Sequence, residues 1–246
     1  MSGYVAGKIA ARRVWAPGLV SLTIDAPIEP FAPGQFVNLG LELGGRLVRR
    51  SYSLASAPLA QPEFYLTALE SGELSPALLG LDVGAELLVD PKPQGFFTLN
   101  WVPEAAELWM LATGTGLAPF LSMLRSGDVL ERFEHVVLVH GVREPSHLAY
   151  RSEIQDLARG GKLSLVPVLS RDPSALGVVH GRIPAALADG RLEEAAARSL
   201  SPERSHLMLC GNPAMIDDTI HALEPRGFRR HRTRKPGQIT TERYWE

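Results

Sequence analysis

Two stretches in the first half of the chain combine residue types that can grip a large anionic cofactor. Arg50-Ser51-Tyr52-Ser53 alternates a fixed cation and a flat aromatic ring with two hydroxyls. On a β-strand, Arg50 and Tyr52 face one way and Ser51 and Ser53 the other. A ring that stacks, beside a guanidinium that holds phosphate through paired hydrogen bonds, suits a flavin with a pyrophosphate tail. Taken alone, the tetrapeptide reads as the ordinary exposed face of a barrel strand. Further on, Gly72-Glu73-Leu74-Ser75-Pro76 runs into a short helical stretch, Ser75–Gly80. With Ser75 as N-cap and Pro76 at the first helical position, its free amides form an anion site. Phosphate on one element and flavin on another make a coherent cradle.

Three stretches in the second half suit a dinucleotide. Thr113-Gly114-Thr115-Gly116-Leu117-Ala118-Pro119-Phe120 follows an apolar run and opens a helix, where a phosphate-binding loop belongs. It departs from G-x-G-x-x-G because Pro119 stands at the third glycine's place. The next strand closes on His140-Gly141-Val142-Arg143-Glu144, with no acid suited to an NAD ribose. Ser170-Arg171 ends another strand, and Gly181-Arg182 lies beyond it. Two arginines and a hydroxyl at strand carboxyl ends suit a 2′-phosphate, which favours NADP over NAD. Cys210-Gly211-Asn212-Pro213 turns a buried strand into a helix, with Asn212 as N-cap. Cys210 is either a small group beside a reacting nicotinamide or a buried small hydrophobe.

The elements that must position these residues fall into two textures. Residues 1–100 carry short apolar runs, Leu19–Ile24, Gln35–Leu39, Arg49–Leu54, Phe64–Leu69 and Glu86–Val89, separated by glycine and proline turns. That spacing predicts a barrel or a sandwich of antiparallel strands. From residue 101 strands and helices alternate. Strands are expected at Glu107–Ala112, His135–His140, Leu163–Leu169 and His206–Cys210. Helices are expected at Pro119–Arg125, Leu148–Ala158, Ile183–Leu187, Arg191–Arg198 and Pro213–Leu223. Alternation of this kind predicts a parallel, doubly wound sheet over 101–246. The boundary falls near Leu99–Pro103.

The 246 residues accommodate two such domains. No apolar stretch is long enough to span a bilayer, and the N-terminus lacks the apolar core of a secretory signal, so a cytoplasmic protein is expected. The single cysteine excludes an internal disulfide and a four-cysteine iron–sulfur cluster. No metal site is expected. Net charge is −2, but residues 226–235 hold six bases and no acid, leaving 19 bases against 27 acids elsewhere. Arg226, Arg229, Arg230, Arg232, Arg234 and Lys235 are either a docking patch for an acidic partner or a solvated surface. In a strand, Arg230, Arg232 and Arg234 would share a face.

RSYS at 50–53, GTGLAPF at 114–120, HGVRE at 140–144, SRD at 170–172 and CGNPAMI at 210–216 follow one another across nearly the whole chain. In this order they resemble the bacterial-type flavodoxin/ferredoxin–NADP+ reductases. The resemblance implies an FAD-binding barrel at 1–100 and an NADP(H) domain at 101–246 with a tail returning to the flavin. It implies that Arg50, Ser51, Tyr52, Ser53 and Tyr65 hold FAD, with Glu73, Leu74 and Ser75 at its pyrophosphate. Arg143, Glu144, Ser170, Arg171, Arg182 and Asn212 would line the nucleotide site. Thr115, Tyr52 and Cys210 would flank the reacting atoms, and Tyr244, Trp245 and Glu246 would cover part of the FAD. The implied chemistry is hydride transfer from NADPH to flavin N5, then single electrons to a ferredoxin or flavodoxin, with no catalytic acid–base pair. Glu73 departs from the lysine frequent in that branch, and Glu246 extends past its usual terminal aromatic. Two alternatives remain: a flavin reductase or oxygenase reductase component with a separate iron–sulfur partner, and a binding module that has lost redox function.

Overall fold

The computed structural model describes residues 3–68 and 72–244. They form two compact units. One comprises Met1–Leu99 with Ala118–Ser126, the other Asn100–Leu117 with Gly127–Glu246.

In the first unit the strands are β1 (Val5–Ala16), β2 (Leu19–Asp25), β3 (Phe36–Leu43), β4 (Arg46–Ser53), β5 (Glu63–Thr67) and, after helix α1 (Leu74–Leu79), β6 (Glu86–Val89). They pair antiparallel in the order β4-β3-β6-β1-β2-β5. An isolated antiparallel bridge between Leu54 and Phe64 joins the two edges, closing the sheet into a barrel. Alternate residues such as Leu22, Ile24, Val37, Leu39, Phe64 and Val89 fill its interior. Strand β1 has no apolar run to announce it, because Lys8, Arg12 and Arg13 interrupt its buried Ile9 and Ala16. It forms because β2 and β6 flank it on both sides.

The second unit begins with β7 (Glu107–Thr113) and a single 3-10 turn, Gly114–Leu117. Helix α2 (Ala118–Ser126) follows. Then come α3 (Asp128–Arg132), β8 (His135–Val142), α4 (Arg151–Ala158), β9 (Leu163–Leu169), β10 (Val179–His180), α5 (Ile183–Ala188), α6 (Arg191–Ala196), β11 (Ser205–Gly211), α7 (Pro213–Leu223) and β12 (Ile239–Arg243). The sheet order is β10-β9-β8-β7-β11-β12, and every pair is parallel. Both faces are covered. Trp109, Leu111, Val137, Val139, Leu207 and Leu209 pack with α5, α6 and α7, and their alternates Leu108, Met110, Leu138 and Met208 are also buried. No helix among the described residues is long and apolar enough to cross a membrane.

Several expectations need correction. Helix α2 lies in the region assigned to the second domain yet packs with the barrel unit. Its Ser122 hydroxyl donates to the Ser56 carbonyl at 2.7 Å, and Arg125 reaches the Ala55 carbonyl at 2.9 Å and the Glu63 carboxylate at 2.7 Å. Helix α4 starts at Arg151 rather than Leu148, because a 3-10 turn occupies Pro145–His147 and Tyr150 is left-handed at φ 58°. Ser75 is not an N-cap. Helix α1 starts at Leu74, two residues before the expected Pro76, with Glu73 at the cap position, so Ser75 is a buried helical residue. The basic run does not form a strand. Arg226 ends a 3-10 turn, and Arg232 and Lys235 close a tight backbone hairpin. Leu69, expected to end a strand, lies outside the described residues.

Candidate functional site

In the barrel unit, the pairing of β4 with β3 sets Arg50 opposite Leu39 and Tyr52 opposite Val37. Arg50 is exposed and its guanidinium donates to the Arg49 carbonyl at 2.7 Å. Tyr52 is half-buried on the same strand face. Burial pushes its phenol up to about 12, and the neighbouring Arg50 cation pulls the other way. The ring is therefore a neutral donor at any working pH, with a cation beside it. Ser51 donates to the Asn38 side chain at 2.9 Å, and Ser53 is buried. Tyr65 on β5 is buried, and its phenol is pushed up by desolvation. Leu74 and Ser75 are buried in the first turn of α1, while exposed Glu73 is turned into an ion pair with Arg46.

In the second unit the carboxyl ends of the parallel strands gather the remaining residues. Gly114, at φ 54°, turns the chain out of β7. Thr115 is buried in the turn. A Cβ on Gly116 would sit 2.5 Å from the Cys210 carbonyl, and one on Gly211 would sit 2.3 Å from Thr113 Oγ1. Only glycine lets these two strand ends touch. The Asn212 amide donates to Thr113 Oγ1 at 2.9 Å, tying them further. Asn212 caps α7 as expected, its side-chain oxygen accepting from the amides of Ala214 at 2.8 Å and Met215 at 3.3 Å.

Arg143 follows β8, Arg171 follows β9 and Arg182 follows β10. The Arg171 amide donates to the Arg143 carbonyl at 3.0 Å, and the Gly181 amide to the Leu169 carbonyl at 2.8 Å, so the three loops continue the ladder of the sheet. All three side chains are exposed, and none has an ion-pair partner among the described residues. Glu144 and Ser170 are exposed beside them, with the Ser170 hydroxyl 3.4 Å from the Val142 carbonyl.

Cys210 is fully buried. Its thiol donates to the Glu242 carboxylate at 3.9 Å, and desolvation and that carboxylate hold it well above the usual thiol range. The Tyr244 hydroxyl pulls weakly the other way. Cys210 is thus a buried, protonated group and not a nucleophile. The Tyr244 hydroxyl donates to the Thr115 carbonyl at 3.0 Å, which pins the end of the chain to the turn after β7. Trp245 and Glu246 lie outside the described residues. The sequence alone assigns no role to Glu242 or Thr113. The register that sets Glu242 beside Cys210 is a parallel pairing between distant segments, which leaves no local pattern.

Of the six basic residues, Arg226 is committed elsewhere, paired with Glu193 at 2.8 and 3.0 Å and bonded to the Leu200 carbonyl at 3.0 Å. Arg230 pairs with Asp217 at 3.0 Å. Arg229, Arg232, Arg234 and Lys235 are exposed without an acid partner among the described residues. They precede β12, so they sit at the amino-end edge of the sheet, opposite the arginine-bearing loops.

A family model described as the oxidoreductase NAD-binding domain matches residues 110–221. The flavodoxin/ferredoxin–NADP reductases of Shigella flexneri and Escherichia coli (strain K12) are each 44% identical to this chain over 249 residues, covering 100% of both sequences. The crystal structure of a ferredoxin NADP+ reductase from Neisseria gonorrhoeae with bound FAD and NADP has a TM-score of 0.94 and 33% identity, covering 100% of each chain. The chain belongs to the flavodoxin/ferredoxin–NADP reductase family.

Proposed function

We propose that the protein carries electrons between NADP(H) and a ferredoxin or flavodoxin through FAD. FAD, when bound, supplies the means to take electrons as a pair and release them singly. The chain's own residues bind and orient. The barrel unit would hold the flavin. Arg50 would neutralise its pyrophosphate, Tyr52 and Tyr65 would present neutral rings, and Ser51 and Ser53 would supply hydroxyls. The amides at the start of α1, with Leu74 and Ser75, would lie along the phosphates. Glu73, turned toward Arg46, would contribute through its backbone rather than its carboxylate.

The second unit would hold the nucleotide. Three unpaired arginines on adjacent strand ends are the observation that carries the assignment to NADP(H), because a dianionic phosphate supplies the charge they lack. Glu144, Ser170 and Asn212 would line the same loops. Thr115 would meet the nicotinamide, with buried Cys210 behind it excluding water and Tyr244, Trp245 and Glu246 completing the flavin cover. Arg229, Arg232, Arg234 and Lys235 would act on an acidic carrier by long-range steering, since their edge of the sheet lies away from the nucleotide loops. A cytoplasmic setting suits this chemistry.

NADPH-driven reduction of purified ferredoxins and flavodoxins, with NADH as control, tests the proposal. The expected protein is yellow, yields one FAD per chain on extraction, and prefers NADPH. A colourless protein that takes up no FAD would sink it.

A further inference from the structure

Strand β8 is buried from end to end, and His140 near its carboxyl end is only 1% exposed. A leucine there would satisfy packing at lower cost, because an imidazole taken out of water needs partners. His140 has one. Its Nε2 lies 3.1 Å from the Gly114 carbonyl. The register pairs His140 with Ala112, whose small side chain leaves the ring room beside the end of β7. Burial pushes the ring's pKa down to about 4, so it is neutral at working pH. A carbonyl only accepts, which puts the single ring proton on Nε2.

The bond acts on the turn that opens the nucleotide loop. The first amides of a 3-10 turn have no acceptor within the turn, and that of Thr115 is one of them. In a planar trans peptide, the carbonyl and the following N–H point in opposite directions. Fixing the Gly114 carbonyl therefore fixes where the Thr115 amide points. The next carbonyl, of Thr115, is held by the Tyr244 hydroxyl at 3.0 Å. Two consecutive peptides are thus aimed by side chains from β8 and from the chain's end.

We propose that His140 is a positioning residue for the pyridine nucleotide, whose Nε2–H, by holding the Gly114 carbonyl, aims the Thr115 amide at the ligand. This rests on the reading of the Thr113–Leu117 turn as the NADP(H) loop. The test uses FAD-loaded protein and the H140Q, H140N and H140L variants. A glutamine amide reaches the Nε2 position; asparagine falls short, and leucine donates nothing. NADP+ dissociation constants come from flavin difference spectra, and NADPH KM and kcat from steady-state reduction of ferricyanide. The imidazole tautomer comes from 15N shifts of histidine-labelled wild type at pH 7.

The expected result is a protonated Nε2 and a bare Nδ1. H140L and H140N should raise both the NADP+ dissociation constant and the NADPH KM roughly three- to tenfold, with kcat changed less, and H140Q should stay within twofold of wild type. A proton on Nδ1 would overturn the proposal. So would an H140Q as impaired as H140N, or an H140N that binds NADP+ like wild type. If H140L does not fold, the glutamine–asparagine pair and the tautomer decide. A wild type that binds FAD but no NADP+ would defeat the loop assignment itself, and with it the proposal, even with the tautomer as expected.

Discussion

The two ends of the parallel sheet both carry clusters of arginine, and they use them differently. At the carboxyl ends, Arg143, Arg171 and Arg182 stand without acid partners on loops laddered to one another. At the amino end, before β12, Arg226 and Arg230 are consumed by Glu193 and Asp217. In the sequence the first three stand apart from one another, whereas the second group lies in one dense run. Whether the charge is already answered within the fold separates a site from a strut. An arginine held in a bidentate pair with one further carbonyl contact stabilises the chain, whereas one left open on a strand end is available to a ligand.

The largest expected contrast comes from acid, because each end holds a buried neutral histidine. Burial holds His140 down to about 4, and burial with the nearby His231 and Arg132 charges holds His206 down to about 3. Both folded values lie below the unfolded value of about 6.5. The unfolded chain therefore binds more protons as pH falls below 6.5, and stability drops until each folded value is reached. At full effect His140 contributes a loss of about 3 kcal/mol and His206 about 5 kcal/mol. Urea midpoints measured from pH 7 to pH 4.5 should fall steeply, and His206→Gln should flatten the slope. A flat midpoint in wild type would show that neither ring is kept neutral.

At the carboxyl edge, Arg171→Ala should raise the NADPH KM about ten- to a hundredfold, the loss of one charge-assisted contact, and leave NADH nearly unchanged. Its melting temperature should not move. Equal loss with both nucleotides would assign Arg171 another task. At the amino end the readouts should exchange. Arg226→Ala strips a partly buried carboxylate of its partner and frees the Leu200 carbonyl, so a stability loss of about 2 kcal/mol is expected, with the NADPH KM unchanged. A shifted KM would show that the two edges are not independent.

The smallest effect concerns the hairpin cations. Reversing Arg232 and Arg234 to Glu should slow ferredoxin reduction a few-fold at low salt and hardly at all at high salt, because exposed charges are screened within roughly 10 Å at 0.1 M. Ferricyanide is a poor control here because it is itself an anion; an uncharged quinone should be reduced at the wild-type rate. Indifference of the ferredoxin rate to salt and to both substitutions would leave the hairpin as plain surface.

How much of this is legible in the sequence depends on the range of the interaction that makes each feature. The α7 cap is local, and Asn212-Pro213 announces it. Strands β6 and β9 and helix α7 follow their apolar runs to the residue, because burial on a continuous stretch is written in composition. Strand β1 is broken by Lys8, Arg12 and Arg13, and four of the five residues of β12 are threonine or charged; both form through their neighbours, so no run marks them. In the same way, the partners of Arg226 and Arg230 lie far along the chain. From sequence, six basic residues look alike, and only the fold distinguishes the paired from the open. His140 stands in a quoted motif, but its role depends on a carbonyl 26 residues earlier.

Helix α2 has a consequence for synthesis. The barrel unit is not finished when residue 99 leaves the ribosome, because the helix that binds Ser56, Ala55 and Glu63 has yet to be made. Strand β7, which belongs to the other unit, emerges before it. The nascent barrel must therefore wait while its successor's first strand is already exposed. A fragment cut at the apparent boundary would lack its own last helix, and a fragment extended to residue 126 would carry an apolar strand with no sheet to join.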